Sequence, residues 1–421
     1  MPPVSPAERP SAAAWSLLAL LVVLNVLNFV DRNLISSVAP FLISELGLTR
    51  AQIGLLQGFG FVVFYTVMGV ILGAAADRWH RPRLIAAGLT LWSAVTAISG
   101  LAQSFVHLLI PRMFVGAGEA TLTPASLSML AETFPASRRA FAVGAYYAGV
   151  PIGAGLGLVI ASVLVPPLGW RSCFYVLGGV GLLFVVALLF VKEPREVRRE
   201  AGAVAAAVPS LASILADLRL ALRSSPALWL VMVGGSGVAY ASGAAIHAVT
   251  WIVQERDMPF AQVAFRGGVI IATAGLTGNF LGGWFADWCR ARWAGGRIWS
   301  LAISCVVCAP ISLLFVFASP DSPMFYVLWF LTNVGLSTWY GPVFAATQDL
   351  APPSVRASII GVALLVTNVL GVSPGAYVTG LIGDTSSLTQ GLIVSIGVSI
   401  ASAIPFALAA RRVDQAAVSR P

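Results

Sequence analysis

The sequence predicts an all-α membrane protein of twelve transmembrane helices in two six-helix pseudo-repeat bundles. Of its 421 residues, 58% are hydrophobic and only 10% are charged, and the mean hydropathy is +0.88. These values lie outside the range of soluble globular proteins. The chain divides into about a dozen apolar runs of roughly 20 residues or more, the length a helix needs to cross the hydrocarbon. Runs this long and apolar exclude the strands of a membrane β-barrel.

The polar stretches between the runs divide the chain into five segments. We predict an N-terminal tail over 1–14, a first bundle over 15–191, a cytoplasmic linker over 192–225, a second bundle over 226–411 and a C-terminal tail over 412–421. The linker is the longest interruption and is rich in arginine. The predicted helices cover 15–43, 51–76, 83–104, 107–133, 138–165, 169–191, 226–254, 262–288, 297–318, 324–350, 355–382 and 389–411.

Basic residues are distributed unevenly along the chain. The net charge is +8, from 25 Lys+Arg against 17 Asp+Glu. If the N-terminus is cytoplasmic, most of the basic residues fall in cytoplasmic segments, as the positive-inside rule requires. Membrane topology therefore explains the charge better than nucleic-acid binding does, and both termini are predicted to be cytoplasmic.

Two short patterns occur once in each half of the chain. A Gly-Asp-Arg pattern follows predicted helix 2 and again predicted helix 8, at an offset of 287 − 77 = 210 residues. A second pattern begins at Arg139 and at Arg356, at an offset of 356 − 139 = 217 residues. Because each pair lies at the same place in each half, we infer an internal duplication. The first pattern consists of Gly73, Asp77, Arg78 and Arg81, and its copy of Gly283, Asp287 and Arg290.

An acid and a base stand together inside the first predicted helix. Asp31 and Arg32 follow Asn28 and Phe29 in the middle of a long apolar run. A charge at bilayer depth costs from about 2.5 to more than 10 kcal/mol, so it persists only where it faces a partner or water. Adjacent residues point about 100° apart around a helix, so Asp31 and Arg32 cannot neutralise each other. Each therefore needs a partner elsewhere.

A second pair of charges, in predicted helix 4, can supply those partners. Arg112 and Glu119 are seven positions apart, close to two helical turns, so they lie on one helix face about 10 Å apart. Counting along both helices places the helix 1 pair at a depth between them. We predict a four-charge network in which Asp31 lies near Arg112 and Arg32 lies near Glu119.

This network has two interpretations. In the first, protonation of Asp31, or secondarily of Glu119, leaves net positive charge and frees an arginine to bind an anionic group. In the second, the charges form a permanent ion-pair staple between the two helices. Under the first interpretation, Asp31 and Glu119 are the proton-coupling residues, and Arg32 and Arg112 complete the charge network and bind the anion.

The second half contributes aromatic and mildly polar side chains, with no acid or base in the middle of its predicted helices. These side chains suit the wall of a ligand cavity, and bland packing is the alternative for each of them. His247 is either a second titrating group or a hydrogen-bonded structural residue. The predicted cavity residues from both halves are Asn28, Phe29, Tyr240, His247, Trp251, Asn333 and Trp339.

Known motifs argue against an enzyme or an ATP-driven protein. His-Glu-xx-His and Gly-xxxx-Gly-Lys-Ser/Thr are absent from the sequence. The Gly153-x-Gly155-x-Gly157 run lies in an apolar helix, so close helix packing is a better interpretation than a nucleotide loop. An intramembrane enzyme with Asp31 and Glu119 as paired acids is the non-transporter alternative, but the nearby arginines would keep both acids ionised.

The duplicated loop pattern and the stretch from Gly149 to Gly153, with Pro151 between them, make the sequence resemble the major facilitator superfamily over essentially its full length. The resemblance implies the major facilitator fold and transport by alternating access. It also implies that the seven residues of the duplicated loop pattern form a conformational latch, in which an aspartate sits at a positive helix end and pairs with an arginine. A solvated charged turn is the alternative.

A closer resemblance is to the spinster family and the related anion:cation symporters, and residues 28–40 and 111–120 carry it. It implies a proton-linked carrier, with amphipathic lysolipid or sphingolipid-like substrates among the animal members. We therefore expect a proton-coupled secondary active transporter of a lipid-like molecule. The alternatives are an organic-anion:proton symporter for small metabolites and a multidrug:proton antiporter.

The remaining expectations concern the surroundings of the protein. We expect no cofactor, with protons as the coupling ion, and no metal. The expected partners are a small-molecule or lipid-like substrate and the lipid bilayer, without nucleic acid, and the expected state is a monomer. As a bacterial spinster-like homologue, the protein is expected in the bacterial inner membrane.

Overall fold

A computed structural model describes residues 10–76, 79–193, 219, 225–352 and 356–418. The helices of the first half are α1 (Ala12–Leu46), α2 (Arg50–Gln57), α3 (Phe59–Ala76), α4 (Arg81–Ser99), α5 (Phe105–Glu119), α6 (Leu122–Thr133), α7 (Ala136–Leu168) and α8 (Arg171–Leu189). Those of the second half are α9 (Pro226–Ala244), α10 (Ala248–Glu255), α11 (Phe260–Arg290), α12 (Gly296–Phe317), α13 (Pro323–Ser337), α14 (Tyr340–Asp349), α15 (Arg356–Thr367), α16 (Ser373–Thr385), α17 (Leu388–Ala401) and α18 (Ala403–Val418). The described residues contain no strand.

The chain forms two compact units. Unit 1 comprises Met1–Phe41 and Gly60–Ala206, and unit 2 comprises Leu42–Phe59 and Ala207–Pro421. The segment Leu42–Phe59 therefore belongs to unit 2, although the sequence places it in the first bundle. Most of the predicted linker lies outside the described residues.

All twelve predicted spans coincide with a helix or with a broken pair of helices. Among the described residues, nine helical segments are long and apolar enough to cross a membrane. The other three predicted spans are α4, the α5–α6 pair and the α13–α14 pair, and in both pairs a break leaves helices too short to qualify alone. The all-helical membrane fold is thus observed, and the number twelve stays a prediction.

The C-terminal helix is longer than the sequence predicts. A tail is expected from residue 412, whereas α18 continues to Val418. Asp414 explains the extension, because its carboxylate accepts hydrogen bonds from the main-chain N of Gly295 at 2.7 Å and from Nε1 of Trp299 at 2.8 Å. These contacts fix the last turns of α18 against the start of α12.

Several long helical segments are interrupted within their length. Gly58 separates α2 from α3, and α5 ends at Glu119 just before α6. In unit 2 a 3₁₀ turn, Ala245–His247, joins α9 to α10, and a π-helical turn, Asn368–Val372, joins α15 to α16. Such irregular turns are frequent at functional sites, because they redirect side chains and free backbone groups.

Glycine allows helices to pack backbone to backbone in both units. In unit 1 a Cβ added at Gly153 of α7 would lie 2.4 Å from the carbonyl oxygen of Val26 on α1. In unit 2 a Cβ added at Gly54 of α2 would lie 2.3 Å from the carbonyl oxygen of Ala376 on α16. No side chain fits at either point, so the packing interpretation of the Gly153 run is confirmed.

The segment α2 is fastened to α16 at its N-terminus. Asp384, near the end of α16, accepts hydrogen bonds from the main-chain N–H groups of Arg50 at 2.8 Å and Ala51 at 2.9 Å. The Arg50 side chain donates to the carbonyl of Gly383 at 2.9 Å and to the Gln254 side chain at 2.9 Å. A carboxylate at a helix N-terminus meets orphan N–H groups and the positive end of the helix dipole.

Candidate functional site

The four charges predicted from sequence lie together inside unit 1. Asp31 and Arg32 project from α1, and Arg112 and Glu119 project from α5. Asp31, Arg112 and Glu119 are buried. Each of these buried ionisable groups requires a partner.

Arg32 and Glu119 form a direct ion pair. Arg32 donates from Nη2 and Nε to Oε2 of Glu119 at 3.0 and 3.2 Å. The Glu119 side chain is completely buried, whereas that of Arg32 is 24% exposed. The pair therefore has an inaccessible acid and an arginine that can be reached.

Asp31 is held by a different element. Its Oδ2 accepts a hydrogen bond of 2.6 Å from the hydroxyl of Thr96 on α4. Thr96 is not among the site residues predicted from the sequence. A threonine in an apolar helix gives no sequence signal that distinguishes a partner from a packing residue.

Arg112 reaches the main chain of α1. It donates from Nη2 to the carbonyl oxygen of Arg32 at 2.5 Å and from Nη1 to the carbonyl oxygen of Asp31 at 3.4 Å. The predicted neighbours Arg112 and Asp31 are thus brought together, with hydrogen bonds to the backbone of α1. Because helical carbonyls already accept within their own helix, an additional guanidinium fastens α5 to α1 at this depth.

Three aromatic rings surround the guanidinium of Arg32. Its carbon lies 4.6 Å from the ring centre of Phe29, 4.7 Å from that of Phe61 and 4.5 Å from that of Tyr65. Phe61 also lies 4.7 Å from the Arg112 guanidinium. We call Phe29, Phe61 and Tyr65 the aromatic box. Such contacts add roughly 0.5 to 2 kcal/mol each, more where water is excluded.

Two of the three box residues were missed by the sequence analysis. Phe61 and Tyr65 belong to α3, and their rings stack at 5.4 Å. The signal was their spacing of four positions, which places two rings on one helix face. That signal is weak on its own, because the surrounding run is apolar throughout.

Two glycines position Glu119 at the end of α5. A Cβ added at Gly116 would lie 2.8 Å from the carbonyl oxygen of Phe61, and one added at Gly118 would lie 2.8 Å from that of Gly88. Helix α5 therefore touches α3 and α4 by its backbone. This close approach brings Glu119 into reach of Arg32 and the aromatic box.

The duplicated loop pattern leads to a second charged cluster in unit 1. Arg81, completely buried, donates to Glu193, to Glu132 at 2.8 Å and to Ser128 at 2.8 Å. The sequence missed both acids, because they lie 51 and 112 positions away along the chain. Two of the predicted latch residues, Asp77 and Arg78, lie outside the described residues. The contacts of Gly73 are not described either.

The copy of the pattern in unit 2 has a different arrangement. Arg297, at the start of α12, donates to Asp287 at 2.8 Å and to Asp349 at 2.6 Å. Arg290 lies 4.0 Å from Asp349. A Cβ added at Gly283 would meet nothing within 4 Å, so no close approach requires glycine there. The sequence named Arg290 as the arginine of the copy, whereas Arg297 binds the aspartate.

The predicted cavity residues of unit 2 have packing contacts. His247 and Trp251 are completely buried: His247 Nε2 lies 2.8 Å from the carbonyl oxygen of Ala376, and Trp251 donates to Thr389 at 2.8 Å. Trp339 donates to Ser242 at 3.2 Å, and Asn333 donates to the carbonyl of Trp329 within its own helix at 2.9 Å.

Tyr240 is partly buried, and its carbonyl oxygen would lie 2.1 Å from a Cβ added at Gly375. Within the described residues, no three His, Cys, Asp or Glu side chains cluster as a metal site requires.

The family model of the Major Facilitator Superfamily matches residues 21–376. The chain belongs to the major facilitator superfamily. The family predicted from the loop pattern is therefore confirmed. Members are generally transporters rather than enzymes.

Two relatives and one solved structure are similar to this chain over most of its length. The chain is 30% identical over 382 residues to an MFS-type efflux pump of Mycolicibacterium smegmatis, covering 90% of this chain and 86% of that protein. It is 27% identical over 383 residues to protein spinster homolog 1 of Xenopus laevis, covering 87% and 72%.

The solved structure is a bacterial homologue of the human lysosomal transporter spinster, in an inward-facing and unoccupied conformation. It matches with a TM-score of 0.83 and 22% identity, covering 97% of this chain and 99% of that chain. The predicted fold and the resemblance to spinster proteins are thus confirmed for this superfamily member.

Proposed function

We propose that this protein is a proton-coupled secondary active transporter of an amphipathic, lipid-like molecule that works by alternating access. The observation that carries the proposal is the ion pair between the buried Glu119 and the partly exposed Arg32. An acid and a base inside an apolar bundle persist at a cost, and in transporters such residues mark proton and substrate pathways.

Protonation of Glu119 would remove the charge that holds Arg32. The guanidinium would then keep only the aromatic box and could accept an anionic group of the substrate. Protonation of Asp31 would act in the same direction, because it lowers the negative charge between Arg32 and Arg112. Both changes bias the contact between α1 and α5, which is the requirement for a ligand-driven or proton-driven shift of conformation.

The aromatic box supports an amphipathic substrate. Three rings beside one reachable charge offer apolar surface and a polar anchor at the same place. The resemblance to the spinster family implies a lipid-like cargo, and a spinster homolog is among the relatives. The protein would reside in the bacterial inner membrane, with both termini in the cytoplasm and with its duplicated loop residues, Asp287 and Arg81 among them, acting as the latch.

A second candidate is a multidrug:proton antiporter. A relative named as an efflux pump favours it. A box of aromatic rings with a carboxylate also suits an organic cation, which would compete with Arg32 for the same place.

The test is transport by purified protein in liposomes under an imposed pH gradient. A fluorescent lysolipid and ethidium serve as alternative cargoes. We expect Asp31→Asn and Glu119→Gln to lose gradient-driven flux while retaining exchange of labelled for unlabelled cargo. Glu45→Gln, which alters an exposed acid on the same helix α1, should behave as wild type. If both buried-acid variants keep gradient-driven flux, the proton role is wrong. Ethidium transport without lysolipid transport would select the antiporter.

A further inference from the structure

A cavity of about 340 Å³ opens at one end of unit 2. It lies where α11 ends at Arg290, α12 begins at Gly296, α14 ends at Asp349 and α15 begins at Arg356. Four helix ends thus meet at the cavity. In a membrane protein, helix ends lie at the level of the lipid headgroups.

The cavity wall is positively charged. Arg290, Arg297 and Arg356 line it together with one acid, Asp349. Two further acids adjoin the wall: Asp287 accepts from Arg297 at 2.8 Å, and Asp414 accepts from the main-chain N of Gly295 at 2.7 Å. Asp349 is bound most closely by Arg297, at 2.6 Å. Arg290 is 4.0 Å from that aspartate and its side chain is 54% exposed. Arg356 is also exposed. Arg290 and Arg356 therefore have donor groups available to an anion.

The rest of the wall is apolar. Leu350, Ile298 and Val413 line the same cavity as the arginines. A soluble anion gains nothing from such a surface, whereas the glycerol backbone and upper acyl chain of a phospholipid are stabilised by it.

Tryptophans next to the cavity mark the level of the membrane interface. Trp293 precedes the lining residue Ala294 and is 46% exposed, and Trp288 on α11 is 40% exposed. The guanidinium of Arg292 lies 3.7 Å from the Trp288 ring. Tryptophan and arginine are enriched where a membrane protein meets the headgroups.

We propose that this cavity binds the phosphate of an anionic membrane phospholipid, with Arg290 and Arg356 as its main partners. Basic pockets between helix ends are a known way to recognise anionic headgroups. The bound phosphate would draw Arg290 away from Asp349, so the lipid would act on the cluster formed by Asp287, Arg297 and Asp349. The site is built from unit 2 alone and does not depend on the charge network of unit 1.

Titration of the purified full-length protein in mild detergent, read by native mass spectrometry, tests the proposal. The ligand is dioleoyl phosphatidylglycerol, and dioleoyl phosphatidylcholine with the same chains is the neutral reference. Each arginine near a lipid phosphate contributes about fivefold in affinity, so Arg290→Gln with Arg356→Gln should weaken phosphatidylglycerol binding roughly 25-fold. Binding of the neutral lipid should not change.

The matched control is Arg138→Gln with Arg139→Gln, which removes the same charge from exposed positions on α7 in unit 1. This control should bind phosphatidylglycerol like wild type. If both double variants lost the same affinity for phosphatidylglycerol, overall charge would explain the loss and the proposal would be overturned. Displacement of the lipid by millimolar inorganic phosphate would identify a site for soluble anions and would also overturn it. Arg356→Gln alone, at an exposed position, serves if the double variant does not fold, and should weaken binding about fivefold.

Discussion

The fourth long segment of each half is broken at corresponding points, but the residue before the break differs. In the first half α5 ends at Glu119, and in the second half α13 ends at Ser337, at an offset of 337 − 119 = 218 residues. The break thus occurs at corresponding places in both halves, whereas an acid precedes it in only one of them. The comparison teaches that the break belongs to the architecture and the carboxylate to the chemistry of unit 1.

A second difference between the units lies at the loop pattern. The third long segment of each half, α4 and α12, begins with an arginine that binds two carboxylates. The acids bound by Arg81 in unit 1, Glu193 and Glu132, are 4% and 21% exposed. The acids bound by Arg297 in unit 2, Asp287 and Asp349, are 69% and 41% exposed. The same layout is therefore a buried network in one unit and a solvated one in the other.

The largest expected difference in stability is between a Glu119 variant and a Ser337 variant. Glu119→Ala leaves the partly buried Arg32 without its acid and should lower the free energy of unfolding by up to about 3–5 kcal/mol. Ser337→Ala removes a hydrogen bond within its own helix and should change it by less than about 0.5 kcal/mol. Denaturant titration in detergent measures both. Arg32→Gln added to Glu119→Ala should recover part of the loss, and no recovery would mean that the ion pair is not the cause.

The next largest difference in stability is expected between variants of the two arginines Arg81 and Arg297. Arg81→Ala leaves the buried Glu193 without its arginine and should cost about 3–5 kcal/mol. Arg297→Ala breaks ion pairs to exposed carboxylates and should cost about 1 kcal/mol or less. Thermal unfolding of the two variants under identical conditions decides the point. Similar losses would show that burial of the cluster does not distinguish the units.

A smaller effect distinguishes two glycines on α7. Gly153→Ala forces a methyl group against the backbone of α1 and should destabilise by about 1–3 kcal/mol. Gly144→Ala meets nothing within 4 Å and should be neutral or stabilising by up to about 1 kcal/mol, because alanine favours the helix. The difference in melting temperature between these variants reports the contact of α1 with α7. It vanishes if the helices do not pack this closely.

The smallest effect tests the aromatic box. Phe61→Leu removes the ring shared by Arg32 and Arg112 and should cost about 0.5–2 kcal/mol beyond the change in packing. Phe64→Leu, at an exposed position on the same helix, supplies the reference for loss of a ring. Equal unfolding midpoints for the two variants would remove the cation–π contribution from the site.

The fold and half of the site could be predicted from the sequence on the same physical grounds. Long apolar runs can only be helices, and a charge within such a run must find a partner, so Arg32 and Glu119 were matched through helix geometry. Thr96, Phe61 and Tyr65 were not predicted as site residues, because the sequence of an apolar helix does not show which residues its side chains contact in the fold. Glu132, Glu193 and Arg297 were not predicted for a related reason. Ion pairs between residues far apart in the chain depend on which helix ends meet, and hydrophobic periodicity does not show which ends those are.

The assignment of Leu42–Phe59 to unit 2 has a consequence for biosynthesis. Helix α2 leaves the ribosome at least 207 − 59 = 148 residues before the main part of the unit in which it packs. Its glycine face must wait until α16 has been made, so the first half cannot complete its folding during its own synthesis. A chain cut in the linker would yield an N-terminal piece with an uncovered α2 and a C-terminal piece with a vacant face on α16. Only the two pieces together would restore a complete unit 2.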